Sequence, residues 1–585
     1  MCSIIGYRGQ SLASQKIVQG LKKMEYRGYD SVGVATIFGK EIHIRKGVGR
    51  VDEVNQYAKL DSLPGNIGIG HTRWATHGGV TDANAHPHSS NSGKLAIVHN
   101  GIIENYIQLK EFLIEQGFHF KSQTDSEVIA NLIQLHLERT GDEMKAVLST
   151  VAELKGSYAF IIMFQNGTMV AARYHEPLIL GISEKCSFVS SDVLGFVDDV
   201  EDAIFLRDGE LAIIDSLRVQ IFDFNGIPVQ PGKTKLAREL VESEKGDFAH
   251  FTLKEIFQQP STILRVDEKN PELDLFCEYI SKAKHLYFIG SGTSYNAALV
   301  GSHLLHKYAG IRAEPLVASE LPHLPHSFDK YSVVIALSQS GESADVLNAV
   351  RIAKRSGAKV ISIVNVMTSS LVRESSLSIG LNCGPEIGVA ATKSFTSQLS
   401  VLYKLAAKLS ITTHLLDFNR LAEGISQILS DSASIREASK EIKFVSDVYV
   451  LGRGIHFPIA IEGALKIKEI TYIHAEGISG GELKHGPLAL MHDGVYAIVI
   501  NPDDSTYADT LTGVNEIKAR GARIIGISDV PNPLYDYWIK IPKVGDSLYP
   551  VAEVVPLQLL AYYTAIERNA DPDYPRNLAK CVTVN

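Results

Sequence analysis

The sequence predicts an α+β domain over residues 2–235, then two copies of an α/β domain with a doubly wound parallel sheet, over 275–410 and 440–570. Three observations predict it. The first 235 residues read as short strands bounded by Gly, Asn and Asp, with few helical stretches. From about residue 275 apolar strands alternate with Gly/Ser turns and helices, the pattern of a parallel sheet. That plan then recurs, and "EIKARGARIIGI" echoes "IAKRSGAKVISI". A chain of 585 residues also exceeds what one hydrophobic core organises.

In order, "SIIG" reads as a short first strand and turn, and "NIGIGHTRWATH", "KLAIVHNGII", "YAFIIMF" and "ELAIIDS" as further strands. "SEVIANLIQLHLERT" has helical spacing instead. The charged stretch "KTKLARELVESEKGDFAHFTLKEI" opens a segment, 236–274, expected to be a linker, with a connecting helix pair as the alternative. "HLYFIGSGTSYNAALV" and "SVVIALSQSGESADVL" are each strand, turn and helix. "DVYVLGRGIHFPIAIEGALKIKEIT" repeats the first of these. A helix is expected over "AIEGALKIKEITYIHAEG", and residues 571–585 form a tail.

Composition excludes several classes. A net charge of −9 argues against nucleic-acid binding through phosphate contacts. The five cysteines are scattered, with no CxxC pair, so neither a disulfide framework nor a zinc site is expected, and a reducing, cytoplasmic setting is. No apolar run reaches a membrane span, and the opening residues do not resemble a secretory signal. No cofactor and no metal are expected.

The chemistry-bearing residues fall in two groups. Hydroxyl-rich turns "GSGTS" (Gly290 to Ser294, with Thr293) and "SQSGES" (Ser338 to Ser343) would converge at one carboxyl edge of the sheet, where backbone N–H groups and small hydroxyls hold a monophosphate. Glu462, Lys466 and Glu469 share one helix face. That face is either a solvated ion-pair stripe or lines a cleft. His485 lies in a Gly/Pro turn and suits acid–base work. Lys580 sits in a tail whose Val582 and Val584 suggest docking, which would desolvate the lysine and suit Schiff-base chemistry. In the first domain "HTRWATHG", "HNG" and "TDSE" supply an arginine for a carboxylate, an aspartate for an ammonium and an Asn-Gly pair for an oxyanion. Cys2 is either a small hydrophobe in the first strand or, with Met1 removed, a nucleophile whose own α-amine (pKa about 8) acts as base.

Together with "EYRGYDS", "NAHPH", "EIGVAATKSF", "GELKHGPLAL" and "PRNLAKCVTV", these stretches make the chain resemble, over essentially its whole length, the isomerising glutamine–fructose-6-phosphate aminotransferases, or glucosamine-6-phosphate synthases. The resemblance implies a class II, N-terminal-nucleophile glutaminase domain followed by two sugar-isomerase (SIS) domains. It implies production of glucosamine 6-phosphate and glutamate from fructose 6-phosphate and L-glutamine, with ammonia passed internally, as the first committed step of hexosamine synthesis. Amination or deglycation of another ketose phosphate is the alternative, and a phosphosugar-sensing regulator a weaker rival.

Carried over, Cys2 attacks the glutamine amide, and Asn100 and Gly101 form the oxyanion hole. Arg73 holds the α-carboxylate and Asp125 the α-amine, while Thr76 and His77 line the site and Trp74 gates the ammonia path. Thr293, Ser294, Ser338, Gln339, Ser340 and Ser343 bind the sugar phosphate. Lys580 forms the Schiff base and Glu469 moves a proton between C1 and C2. His485, from a neighbouring subunit, opens the ring, with Lys466 and Glu462 in support. A homodimer follows. The chain departs from the family at Ser3, where Gly is common after the nucleophile, and at Ser291, Ser343 and Ala391, where Cys, Thr and Ser are frequent.

Overall fold

The structure, a computed structural model, describes residues 2–583 apart from 216–217, 231, 237–244, 266–270, 325, 411–415 and 546–547. The chain forms two compact units. Residues 1–243 with 581–585 make the first and 244–580 the second.

The first unit has four layers. An eight-stranded antiparallel sheet runs in the order 234–235, 202–205, 179–182, 186–190, 3–9, 67–73, 31–38, 41–48. A seven-stranded one runs 228–229, 218–223, 210–215, 169–174, 156–164, 95–103, 88–89. Strand alternation explains the layering, since successive side chains point to opposite faces. Ile4, Val98 and Ile161 are buried in one cluster between the sheets. Their neighbours Ile5, Ile97 and Ile162 point outward, Ile5 under the helix Ala13–Met24 and the other two under the helices Ser126–Thr140 and Glu143–Glu153. Cys2 leads directly into the first strand, Ser3–Gly9. The buried Ser3 hydroxyl donates to the Met24 carbonyl at 2.9 Å, so the serine is satisfied where a glycine is common in the family.

The second unit holds two five-stranded parallel sheets of matching order, 314–317, 285–290, 332–338, 359–364, 378–380 and 474–479, 447–452, 496–500, 523–528, 537–540. One large core joins them. The helices Lys393–Leu409 and Tyr549–Glu567 contribute Phe395, Leu402, Leu557 and Leu560, all buried. A helix apolar on every side, like Tyr549–Glu567, belongs in such an interior. Among the described residues no helix is long and apolar enough to cross a membrane.

Two expectations need correction. The stretch 236–274 is more than a linker. Within it the helix Phe251–Thr262 buries Ile256, and Leu273 joins the same core, so this part is body of the second unit; 237–244 and 266–270 lie outside the described residues. The helix expected to run through "TYIHAEG" ends at Thr471. Tyr472 turns left-handed (φ 62°), and His474–Ser479 becomes a strand parallel to Asp447–Gly452. At this edge of the sheet Ala475 and Ile478 point to opposite faces and are buried in two different cores.

Candidate active sites

In the first unit the pairing of strands 3–9 and 67–73 places Ser3 opposite Thr72, so Cys2 meets the segment just past Arg73. The Trp74 N–H donates to Cys2 Sγ at 3.3 Å. Burial pushes the Cys2 thiol up, so thiolate is scarce near neutral pH and attack needs a base beside it. The Cys2 carbonyl accepts from Asn100 Nδ2 at 3.1 Å and from Arg27 Nε at 3.5 Å. Asn100, the expected oxyanion donor, thus holds the backbone of Cys2 here. Gly101 has φ 111°, and a Cβ there would fall 2.0 Å from the Ser157 carbonyl oxygen. Only glycine fits.

Arg73 is buried, and its guanidinium donates to the carbonyls of His77, Gly78 and Gly79, shaping the loop that follows its strand. Thr76 is exposed on this loop, and the half-buried His77 packs its ring against Tyr106. Trp74 is half-buried. Asp125 is buried at the start of the helix Ser126–Thr140, and its Oδ2 accepts from Ile103 N at 2.8 Å. Cys2 is in direct contact with Trp74 and Asn100; Arg73 immediately precedes Trp74, and Asp125 bonds Ile103 on the strand that carries Asn100. Sequence reasoning gave no role to Arg27 or to four buried histidines. His71 and His86 meet at 2.9 Å between ring nitrogens, the rings of His86 and His88 lie 4.5 Å apart, and His99 Nδ1 meets Ser126 Oγ at 2.8 Å. Burial holds all four below the usual histidine range. The motifs "EYRGYDS", "HTRWATHG", "NAHPH" and "VHNGIIEN" held the signal.

In the second unit the Glu462, Lys466 and Glu469 face turns inward. Lys466 is 1 % exposed and reaches Glu469 at 2.6 Å, Glu462 at 3.3 Å and Thr293 Oγ1 at 3.0 Å. Burial opposes its charge, but the two carboxylates outweigh that and hold it above the ordinary lysine range. Glu462 also accepts from Thr293 Oγ1 and Asn296 Nδ2. A helix of the second sheet therefore lays its charged face on the first turn of the first sheet.

The hydroxyl turns are pre-ordered. Ser294 Oγ accepts from Gln398 Nε2 at 3.0 Å, Ser338 Oγ from Gly341 N at 2.9 Å and Ser340 Oγ from Glu342 N at 3.1 Å. Each of these hydroxyl oxygens accepts a hydrogen bond from the protein, which fixes its position. Gln339 is half-buried, and Ser343 is the N-cap of the helix Ala344–Arg355.

Lys580 lies deep. Its side chain is 3 % exposed and its Nζ sits 2.6 Å from Glu386 Oε2. The desolvation expected of this lysine is thus met by an ion pair. Glu386 and nearby Glu255 are the site residues that sequence reasoning missed. The first lay in the quoted "EIGVAATKSF"; nothing local marks the second. His485 is exposed on the turn Leu483–His485 and makes no described hydrogen bond to the Lys466 or Lys580 groups. Of the tail, Val582 is exposed rather than docked as expected and Val584 lies outside the described residues, while Thr583 Oγ1 donates to Glu176 in the first unit.

Comparison with known proteins agrees with this geometry. A glutamine amidotransferase domain model matches residues 71–197, and a SIS domain model matches 279–408 and 442–568. Glutamine–fructose-6-phosphate aminotransferases [isomerizing] from Pyrococcus horikoshii and Thermococcus kodakarensis are each 44 % identical to this chain, over 603 and 604 aligned residues, with both chains covered in full. That of Clostridium acetobutylicum is 39 % identical over 609, again with full coverage. Among solved structures, the C-terminal domain of the Francisella tularensis glucosamine-fructose-6-phosphate aminotransferase is 35 % identical, matching 57 % of this chain and all of that one (TM-score 0.52). The Escherichia coli tagatose-6-phosphate ketose/aldose isomerase, 20 % identical over 56 % of this chain and 97 % of its own (TM-score 0.50), shares the fold. The chain belongs to the family of isomerising glutamine–fructose-6-phosphate aminotransferases.

Proposed function

We propose that this chain converts fructose 6-phosphate and L-glutamine to glucosamine 6-phosphate and L-glutamate. The observation that carries the reading is that each unit encloses a nucleophile suited to one half of the reaction. Cys2 in the first is fixed by the Trp74 N–H, and Lys580 in the second is buried against Glu386. The family likeness, along the full length of both chains, supports the same assignment.

In this reading Met1 is removed and the α-amine of Cys2 takes the thiol proton. Sulfur attacks the glutamine side-chain amide, ammonia leaves, and water releases glutamate from the thioester. Asn100 and Gly101 stabilise the tetrahedral oxyanion, Arg73 and Asp125 hold the α-carboxylate and α-amine, and Thr76 and His77 line the pocket. Trp74 gates the passage of ammonia.

In the second unit Thr293, Ser294, Ser338, Gln339, Ser340 and Ser343 hold the sugar phosphate. His485 opens the ring; its exposure supports use by a second copy of the chain, hence a homodimer. Lys580 bonds to C2 of the open ketose, and ammonia replaces it there. Glu469 then carries a proton from C1 to C2, leaving the carbonyl at C1, while Lys466 and Glu462 fix Glu469 and the first turn. The substrates are small molecules, and we place the enzyme in the cytoplasm with neither nucleic acid nor membrane as partner.

An end-point assay with both substrates tests this. Glutamate and glucosamine 6-phosphate are expected in equal amounts. Cys2→Ala should lose glutamine-dependent synthesis and keep sugar isomerisation; Lys580→Ala should keep basal glutamate release and form no hexosamine. Glutamate without amino sugar from the wild-type protein would mean that another ketose phosphate is the acceptor.

A further inference from the structure

The segment "EIGVAATKSF" (Glu386 to Phe395) is bound from two sides by buried carboxylates. Glu386 accepts from Thr392 N at 2.9 Å, Ser394 N at 3.0 Å and Ser394 Oγ at 2.7 Å, which close the segment on itself; its other bond is to Lys580 Nζ. Glu255, from the helix Phe251–Thr262, accepts from Ile387 N and Gly388 N. Gly388 is packed so tightly that a Cβ would lie 2.7 Å from Thr252 Oγ1 and 2.9 Å from Glu255 Oε2. Glu386 is therefore a fixed charge, oriented by three donors before the lysine reaches it.

We propose that Glu386 is the positioning residue of Lys580 and the counter-ion of the Schiff base that this lysine forms. The proposal rests on Lys580 as the residue that bonds to the sugar. Charge balance supports it. In Schiff-base formation the ammonium nitrogen bonds to the ketose carbon. The carbonyl oxygen takes two of the three ammonium protons and leaves as water, and the iminium keeps the third. Nitrogen is cationic before and after, so one rigid carboxylate serves both states. The groups facing the pair agree. Burial opposes the charge of Glu386, but Lys580 and Ser394 outweigh it and bring its carboxyl down to about 2, so it stays ionised. Burial, reinforced by the Glu386 charge, pushes Glu255 up to about 8, leaving it largely protonated at neutral pH. Cys383 is pushed up to about 12 by burial and is a neutral thiol. Lys393 opens the next helix and bonds Gln258 at 2.8 Å, with burial lowering it. Glu386 is thus the fixed anion in contact with Lys580.

The test is reductive trapping of fructose 6-phosphate on the full-length enzyme with cyanoborohydride across pH, read by intact mass and peptide mapping. The wild-type adduct is expected on Lys580. An adduct elsewhere, or none, would remove the Lys580 reading and this proposal with it. Removing the Glu386 charge destabilises both the ammonium and the iminium. In Glu386→Gln the whole pH–trapping profile should therefore move to lower pH by about 1 unit or more. A profile of reduced height at the wild-type pH would overturn the counter-ion role, because it is what a purely structural residue gives. Ser394→Ala, which loosens Glu386 without touching its charge, should leave the profile in place; a shift equal to that of Glu386→Gln would also count against the proposal. If Glu386→Gln does not fold, Glu386→Asp decides. It keeps the charge on a shorter arm, so trapping should be weaker at an unmoved pH, and a displaced profile would overturn the proposal.

Discussion

The two sheets of the second unit are the same backbone carrying opposite chemistry. After the strands 285–290 and 447–452 come Gly290-Ser291-Gly292 and Gly452-Arg453-Gly454, with φ of 54° at Gly292 and 59° at Gly454. A Cβ at Gly290 or Gly452 would meet the chain four residues on, at 2.8 Å and 2.2 Å. At that fourth residue the copies part. In the first it is Ser294, bonded to the neutral Gln398 of the closing helix. In the second it is His456, fully buried, with Glu553 of the closing helix 2.9 Å from Nδ1 and Asp504 2.9 Å from Nε2. Asp504 also accepts from Thr506 N and Oγ1, at the start of the helix Tyr507–Lys518. The second copy has placed its own carboxylate where a helix N-terminus attracts an anion and has neutralised it with its own imidazolium. The first leaves that edge to hydroxyls. Two copies of one fold can therefore carry different side-chain chemistry at the same position, hydroxyl and amide in the first, an imidazole between two carboxylates in the second.

The largest expected effect tests where the chemistry lies. The second copy's helix Phe457–Thr471 brings Glu462 and Lys466 to Thr293 in the first copy's turn, with Glu469 paired to Lys466. Glu469→Gln should lower amino-sugar formation about 10²–10⁴-fold with little change in the melting temperature, and steady-state kinetics beside a thermal scan would show it. A mutant of wild-type rate would make the trio a structural ion cluster and erase the functional side of the comparison.

Next in size is the cluster that closes the second copy. His456→Gln leaves Asp504 and Glu553 buried without their cation, which should cost about 3–5 kcal/mol of stability. The KM for fructose 6-phosphate on the folded fraction should not change, because the proposed sugar site lies on the first copy's turns. Denaturant melts with kinetics on the same sample separate the two, and a raised KM at intact stability would show that the second copy binds sugar after all.

The same cluster sets a pH slope. Burial opposes the His456 charge, but Glu553 and Asp504 outweigh it and raise the imidazolium to about 10. A raised folded pKa gives stability that is complete below the unfolded histidine value of about 6.5 and lost as pH climbs through 10. Stability of the second unit should fall between those limits by at most about 1.4 kcal/mol per pH unit, and His456→Gln should flatten the fall. Asp504, brought down to about 2 by His456 and Thr506 against burial, works in the other direction. Its contribution is complete above the unfolded aspartate value and is lost as pH falls through 2. Melts at pH 6, 8 and 10 would test the first limb.

Much of this was legible in sequence, for local reasons. The repeat showed because strand, glycine turn and helix recur with matching apolar positions, as in "IAKRSGAKVISI" and "EIKARGARIIGI". The Glu462, Lys466 and Glu469 face showed because helical spacing is a property of a few consecutive residues. The end of that helix did not, because Tyr472 takes a left-handed conformation that its type does not announce and the apolar run continues through Ile473. Glu386 against Lys580, Gln398 against Ser294 and Glu553 against His456 did not either. Each pair joins residues about a hundred or more positions apart, and which helix closes over which turn is decided by packing. Glu255 is hidden twice over, being a charged residue in a stretch read as linker that proves to be buried helix.

The smallest effect is the sharpest test of the comparison, because it asks the first copy the question put to His456. Ser294→Ala removes one neutral hydrogen bond and strands the Gln398 amide. A neutral bond of this kind is worth about 1 kcal/mol, and no buried charge is exposed by its loss. Stability should fall by about that amount, with no pH dependence between 6.5 and 10. If the hydroxyl also donates to the sugar phosphate, KM should rise by roughly fivefold to tenfold, since 1.4 kcal/mol is a factor of ten. Equal positions in equal backbones would then differ threefold or more in what they hold together, and only the weaker would affect the substrate. A loss from Ser294→Ala as large as that from His456→Gln, at unchanged KM, would mean that the first copy's turn is a packed structural element like the second's. The sugar phosphate would then have to be sought elsewhere on the sheet edge, beginning with Ser338 and Ser340.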